Sequence, residues 1–166
     1  MSVAVRYLPQ SGEYALRAMA YLALRPATAA VSRDIALSTR MPANYLQKIL
    51  AQLTKGELLT AQRGLRGGYA LARPPGEITL HEIFKAVDAN VERIEHCPLG
   101  RPEHVNLCPL HRRLDEAYGL IESVFKATTL ASVCETTANG SCEALERGGV
   151  ELRMNGVRGP GEPGGG

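Results

Sequence analysis

The sequence predicts a mainly α-helical protein carrying one small β-hairpin, with a single long helix after it. Three observations carry that prediction. Apolar residues recur at helical spacing in short runs between residues 11 and 55. Two short strand-like runs then flank a glycine-rich basic tip, Arg63-Gly64-Leu65-Arg66-Gly67. Finally, an apolar seam spaced by threes and fours runs from Leu110 to Phe125.

Ser11-Gly12-Glu13 opens the first helix, with Ser11 as its expected cap and Glu13 favourable in the first turn. Leu16, Met19, Ala20 and Ala23 form its apolar stripe, and Arg25-Pro26 ends it. Ser32 is the expected cap of a short helix running through Leu37. Pro42 suits the first turn of the next helix, whose Leu46, Ile49, Leu50 and Leu53 make a core stripe. That stripe leaves Asn44, Tyr45, Gln47 and Lys48 on or near the exposed side. Gly56 stops the helix. Leu58–Ala61 and Gly68–Ala72 then read as paired strands around the basic tip, and Pro74-Pro75 closes the unit.

Thr79 and Glu82 have the spacing of a capping box ahead of a helix with Ile83, Phe84 and Val87. Residues 91–109 read as a loop holding Cys97, His104 and Cys108. A long helix begins at Pro109, and its Leu110, Leu114, Tyr118, Ile121 and Phe125 form a face that must be buried against something. Pairing with a second copy is the expected solution. The pattern fails beyond Ala131, and residues 148–166 hold eight of the seventeen glycines, so a disordered tail is expected. The organisation is thus a reading unit over 9–90, a cysteine-containing loop over 91–109, a dimer-forming helix over 110–133 and a flexible tail over 134–166.

Charge divides the chain in the same place. Residues 1–80 carry ten Lys/Arg against four Asp/Glu, whereas residues 81–166 carry nine against thirteen. A basic half joined to an acidic half points to a polyanion as partner of the first half alone. No apolar run approaches the roughly 20 residues of a membrane span. The first residues also lack the regions of a secretory signal, so a cytoplasmic protein with reduced thiols is expected. Its four cysteines, all beyond residue 96, are then metal or redox candidates before they are disulfides.

Helix, turn, helix and hairpin in this order make a winged helix-turn-helix, and its exposed groups suit double-stranded DNA. Asn and Gln pair with adenine edges, Lys and Arg with guanine, and Tyr with phosphate or a thymine methyl. Asn44, Tyr45, Gln47 and Lys48 near a helix N-terminus are therefore groove-reading candidates. Arg63 and Arg66, on a loop whose Gly64 and Gly67 permit close approach, suit phosphate or the minor groove. Ser32 joins this set at the start of the preceding helix. A cysteine-dependent enzyme, with Cys108 as nucleophile and His111 or His104 as base, lacks an oxyanion loop, an orienting acid and a nucleotide fingerprint. A dimeric adaptor using the winged helix for protein contacts does not account for the arginine-rich wing.

Several spaced motifs, in one order between about residues 9 and 133, resemble the IscR/NsrR-like regulators, also called the Rrf-two family. They are Glu13–Ala18 with Tyr21-Leu22-Ala23, Tyr45–Leu50, Arg63–Leu71, Ile78-Thr79-Leu80, Cys108–His111 and Thr128–Ala131. The resemblance implies a winged-helix transcription regulator, dimeric through the long helix, on a two-fold-related operator. It also implies that Asn44, Tyr45, Gln47, Lys48 and Arg63 lie at positions the family uses on DNA. Many members are repressors; some hold an iron–sulfur cluster as sensor and others hold none.

Cluster-holding members usually show three cysteines in the loop. Here Cys97 and Cys108 match the first and last, while His104 stands near the middle position, so the three-thiolate set is absent. Cys97, His104, Cys108 and His111 still offer two sulfurs and two nitrogens. Thiolates favour iron–sulfur clusters, and imidazole replaces thiolate on iron in Rieske-type centres, so a 2Fe–2S cluster is one expectation. Glu13 stands where some members place an acidic ligand reaching across the dimer. Zinc, which accepts two Cys and two His, and a metal-free thiol site are the alternatives. Cys134 and Cys142 fall in the weakly patterned tail and read as incidental or redox-reactive thiols.

Overall fold

The computed structural model describes residues 9–25, 29–62, 64, 67–97 and 107–138. In chain order the elements are α1 (Gln10–Ala23), α2 (Ser32–Thr39), α3 (Ala43–Lys55), β1 (Leu59–Gln62), β2 (Gly68–Leu71), α4 (Leu80–Ala86), α5 (Pro109–Ala127) and α6 (Leu130–Ala138). A 3₁₀ turn at Pro75–Glu77 lies between β2 and α4.

The small residues of α1 explain its central place. Ala15, Ala18 and Ala20 are buried beside Met19 and Leu22, and these short side chains let α2, α3, α4, α6 and β2 all approach α1. The α3 stripe expected from spacing is the floor of the same core, with Leu46, Ile49, Leu50 and Leu53 buried. Each such side chain withdrawn from water contributes about 1.5–3 kcal/mol. Phe84 of α4, Ile78 and Leu130 join the same core, as do Ile35, Leu58 and Ile83.

Helix starts differ from expectation at two of three caps. α1 begins at Gln10 after Pro9, so Ser11 lies inside the first turn and caps nothing. α2 begins at Ser32 after Val31, again without a side-chain cap, which frees the Ser32 hydroxyl for another partner. Pro42 is likewise the residue just before α3. The Thr79 box is present in full: Glu82 N–H donates to Thr79 Oγ1 at 3.2 Å and Thr79 N–H to Glu82 Oε2 at 2.9 Å. Arg73 Nη2 reaches Glu82 Oε1 at 2.7 Å, tying the end of the hairpin to this cap. α3 ends at Gly56 as expected, but the left-handed residue is the following Glu57, at φ 58°.

The hairpin is antiparallel, with Leu59 opposite Leu71 and Gln62 opposite Gly68. It does not stand alone. Ala30 and Tyr69 exchange two backbone hydrogen bonds, of 2.9 and 2.8 Å, which fasten β2 to the chain just before α2. A Cβ on Gly68 would lie 2.6 Å from the Ala30 carbonyl oxygen, so only glycine admits that approach.

The long helix is shorter than its pattern. α5 stops at Ala127, where Thr128 and Thr129 turn extended and pair with the backbone entering α4. Leu80 N–H donates to Thr128 O at 3.0 Å and Leu130 N–H to Ile78 O at 2.8 Å. Two β-branched residues favour this extended step over helix. α6 then returns to α1 and the 3₁₀ turn, burying Leu130 and Cys134. Cys134, expected to be incidental in a tail, is a core thiol. Residues 139–166, with Cys142, lie outside the described residues.

Candidate DNA interface and thiol–imidazole centre

Burying one stripe of α3 leaves the opposite face in water, and Asn44, Gln47 and Lys48 are exposed there. Tyr45 is half-buried: its ring meets Tyr14 edge-on at 5.3 Å between centroids, and Gln10 Nε2 donates to the Tyr14 hydroxyl at 3.0 Å. Ser32 Oγ accepts from Gln47 Nε2 at 2.9 Å, bringing together two of the residues singled out from sequence. This bond fixes the start of α2 against the exposed face of α3.

The tip of the hairpin turns at Gly64, at φ +112°, a conformation that L side chains rarely adopt. Gly67 N–H donates to Gly64 O at 2.8 Å and closes the tip. Arg63 and Arg66 lie outside the described residues. The described Gly64 and Gly67 place the tip at the far end of a hairpin whose base is fastened at Ala30 and Tyr69.

Cys108 is the residue just before α5, and His111 stands in the first turn of that helix. The imidazole Nδ1 of His111 is 3.2 Å from Cys108 Sγ and 3.5 Å from Cys97 Sγ. All three ligand atoms lie within 4.8 Å of one another. The backbone N–H of His111 does most to hold the Cys108 thiol below its ordinary range; partial burial opposes it, and the Leu110 N–H and the Cys97 thiol assist. Two thiols that form thiolates and one imidazole suit iron or zinc, so the donors fit a metal centre of mixed sulfur and nitrogen type. His104 lies outside the described residues. Glu13, on α1, is exposed and ion-paired with Arg17 one turn along its own helix.

Sequence reading missed a contact between α5 and the segment that carries Cys97. Asp115 accepts from Arg93 Nε at 2.6 Å, from Arg93 Nη2, and from the Ile94 backbone N–H at 2.9 Å. The Arg93 guanidinium, and then the Ile94 N–H, hold the Asp115 carboxyl down to about 2. The partners stand 22 and 21 residues apart, beyond any periodic signal.

On its outer face α5 exposes Leu110, Leu114, Ala117, Ile121 and Val124, a four-three-four-three spacing. This revises the seam read from sequence. Phe125 turns inward, its ring 4.7 Å from that of Phe84, and Tyr118 is half-buried, while Val124 joins the exposed row at 59%. Among the described residues, no helix is long and apolar enough to cross a membrane.

The chain resembles known proteins along most of its described length. It is 32% identical over 121 residues to an HTH-type transcriptional regulator of Aquifex aeolicus, covering 70% of this chain and 83% of the relative. Among solved structures, CymR, the global cysteine regulator of B. subtilis, superposes with a TM-score of 0.66 at 22% identity, covering 78% of this chain and 96% of CymR. IscR of T. potens superposes with a TM-score of 0.64 at 24% identity, covering 82% and 88%. These relatives are transcriptional regulators and not enzymes. A family model described as iron-dependent transcriptional regulator, Rrf2, matches residues 8–136. A single family match across nearly all of the helical core and hairpin is decisive: the chain belongs to the Rrf2 family of DNA-binding transcriptional regulators.

Proposed function

We propose that this regulator is a cytoplasmic homodimeric repressor whose signal enters at Cys97, Cys108 and His111. One observation carries the reading: these three donors converge on the first turn of α5, the same helix that presents the exposed apolar row. A change at the centre is therefore made on the element that joins two copies. Operator half-sites lie about one helical turn apart, so a shift of a few ångströms between reading heads decides whether both dock.

On DNA, Asn44, Gln47 and Lys48 would face base edges and phosphates of the major groove, with Tyr45 braced by Tyr14 and Ser32 bracing Gln47. Arg63 and Arg66 would reach phosphate or the minor groove, and the backbone of Gly64 and Gly67 would allow the close approach. Cys97, Cys108 and His111 would hold an iron–sulfur cluster of the 2Fe–2S kind, with His104 or the second copy's Glu13 completing the set. Bound there, such a cluster supplies sensitivity to oxidation state and nitric oxide.

The test is an absorption spectrum with iron and sulfide assays on protein purified without oxygen, followed by operator binding before and after cluster removal. Visible bands with stoichiometric iron and sulfide, lost in Cys97→Ala or Cys108→Ala, are expected, together with a change in DNA affinity. Equal affinity in both states would rule out sensing at this loop, since a ligand that does not distinguish two states shifts nothing. A second reading is favoured by the two sulfurs lying within 4.8 Å: a cluster-free regulator in which the Cys97 and Cys108 thiols themselves respond to oxidation. Colourless, iron-free protein that binds the operator only when reduced would select it.

A further inference from the structure

Cys97 belongs to an irregular segment outside any helix or strand, yet its sulfur lies at a defined place opposite α5. One contact, of 3.5 Å, joins it to His111 Nδ1. The segment is also held three and four residues earlier. Ile94 N–H and the two nitrogens of Arg93 all end on the Asp115 carboxylate, one helical turn beyond His111. A guanidinium fork on a carboxylate is a directional, charge-assisted contact, and the added backbone bond sets the register of the segment as well as its distance. Asp115 is only 17% exposed, on a helix face where His111, Tyr118, Gly119 and Glu122 are half-buried as well. One turn further on, Gly119 leaves the space the guanidinium occupies: a Cβ there would lie 3.0 Å from Nη1 and 3.3 Å from Cζ of Arg93.

We propose that Arg93 and Asp115 are positioning residues, with Gly119 as the gap that admits them, and that together they hold Cys97 opposite Cys108 and His111. The donor set is thereby prearranged on α5 before any ligand binds. This rests on the reading of the three residues as the signal input, and its test is chosen so that the two can fail separately.

The probe is thiol–disulfide equilibrium in glutathione buffers, measured on the folded full chain by alkylation and mass spectrometry. Cys97 and Cys108 give two electrons and two protons to glutathione disulfide. A bond forms between their sulfurs, the glutathione disulfide bond breaks, and two glutathione thiols leave. The equilibrium constant reports the effective concentration of one thiol at the other, which prearrangement raises above that of a flexible loop. Asp115→Asn and Arg93→Gln are each expected to lower it by about tenfold, and the double variant by no more than either, since the pair acts as one unit. Glu116→Gln, which breaks the neighbouring Arg113–Glu116 pair at 2.7 Å, should leave it unchanged.

Gly119→Ala separates positioning from simple stability. Alanine favours helix, so a stability role alone would hold or raise the melting temperature and leave the equilibrium unmoved. Positioning requires that the crowded guanidinium lower the constant, by less than the charge variants do. A constant unaltered in Asp115→Asn, or wild-type protein that does not close this disulfide at any glutathione ratio, overturns the proposal whatever the protein does on DNA. If the constant falls as expected but the dithiol and disulfide forms bind operator equally, the positioning stands and the signal-input reading falls.

Discussion

Thr79 is a residue with obligations in two directions. Its side chain caps α4 through Glu82, while its backbone lies opposite Thr129 in the bridge that ends α5. Thr79→Ala removes the cap and leaves the bridge, and is expected to cost about 1 kcal/mol, read as a lower urea midpoint with unchanged slope. Asp115 gives a second expectation at this scale. Its folded-state pKa, about 2, lies below the ordinary 3.8, so its contribution is fully present above pH 3.8 and is lost as pH falls toward 2. The melting-temperature gap between wild type and Asp115→Asn should therefore be constant from pH 7 to 5 and close between pH 4 and 2. A gap that persisted at pH 2 would remove Arg93 as the cause. The cap was legible in the sequence because its two partners are three residues apart. The Asp115 contact was not, because nothing local pairs residues so distant in the chain.

Helices and strands follow the same division. The α3 stripe could be read because its large aliphatic residues recur at spacings of three and four, and burial of Leu46, Ile49, Leu50 and Leu53 matches it. The break between α5 and α6 could not, because apolar residues continue across it and the weak preference of Thr128 and Thr129 for extended backbone is decided by a long-range pairing. Likewise the period did not separate Phe125, which meets Phe84, from Val124, which meets water. That sorting sets the apolar row proposed as the surface for a second copy. Placing charge in the row, as Leu114→Glu with Ile121→Glu, is expected to give a monomer by light scattering and to weaken operator binding at least about tenfold, since docking of two linked heads is lost. Leu110→Ser, at the solvent end of the row, should do less. A double variant that stayed dimeric would assign the interface elsewhere.

For the whole molecule, charge is the feature that composition announces and the fold arranges. The basic excess falls on residues 1–80, which include the helices and hairpin proposed to read DNA, and the acidic excess on the second half of the chain. Operator affinity should fall steeply with salt, and Arg63→Ala with Arg66→Ala should reduce the slope of log affinity against log salt by about 2, close to one per lost phosphate contact. An unchanged slope would put the wing off the DNA. Cys97, Cys108 and His111 were all nameable as donors from the sequence, and Cys108 and His111 share a helix turn, whereas the approach of Cys97 to them depends on tertiary structure.

The bridge of Thr128 and Thr129 to the start of α4, with Phe125 seated on Phe84, fastens one end of α5 to the helical core, where it would serve as the fulcrum of the proposed reading head. The helix has 19 residues, so its other end, where Cys108 and His111 stand, is about 28 Å away. A lever of that length trades distance for angle: a displacement of about 2.5 Å at the sulfur end turns the head by only about 5°. In the dimer proposed above, two heads borne on such arms would answer the centre by a small tilt, and that tilt would alter the spacing between them on the operator.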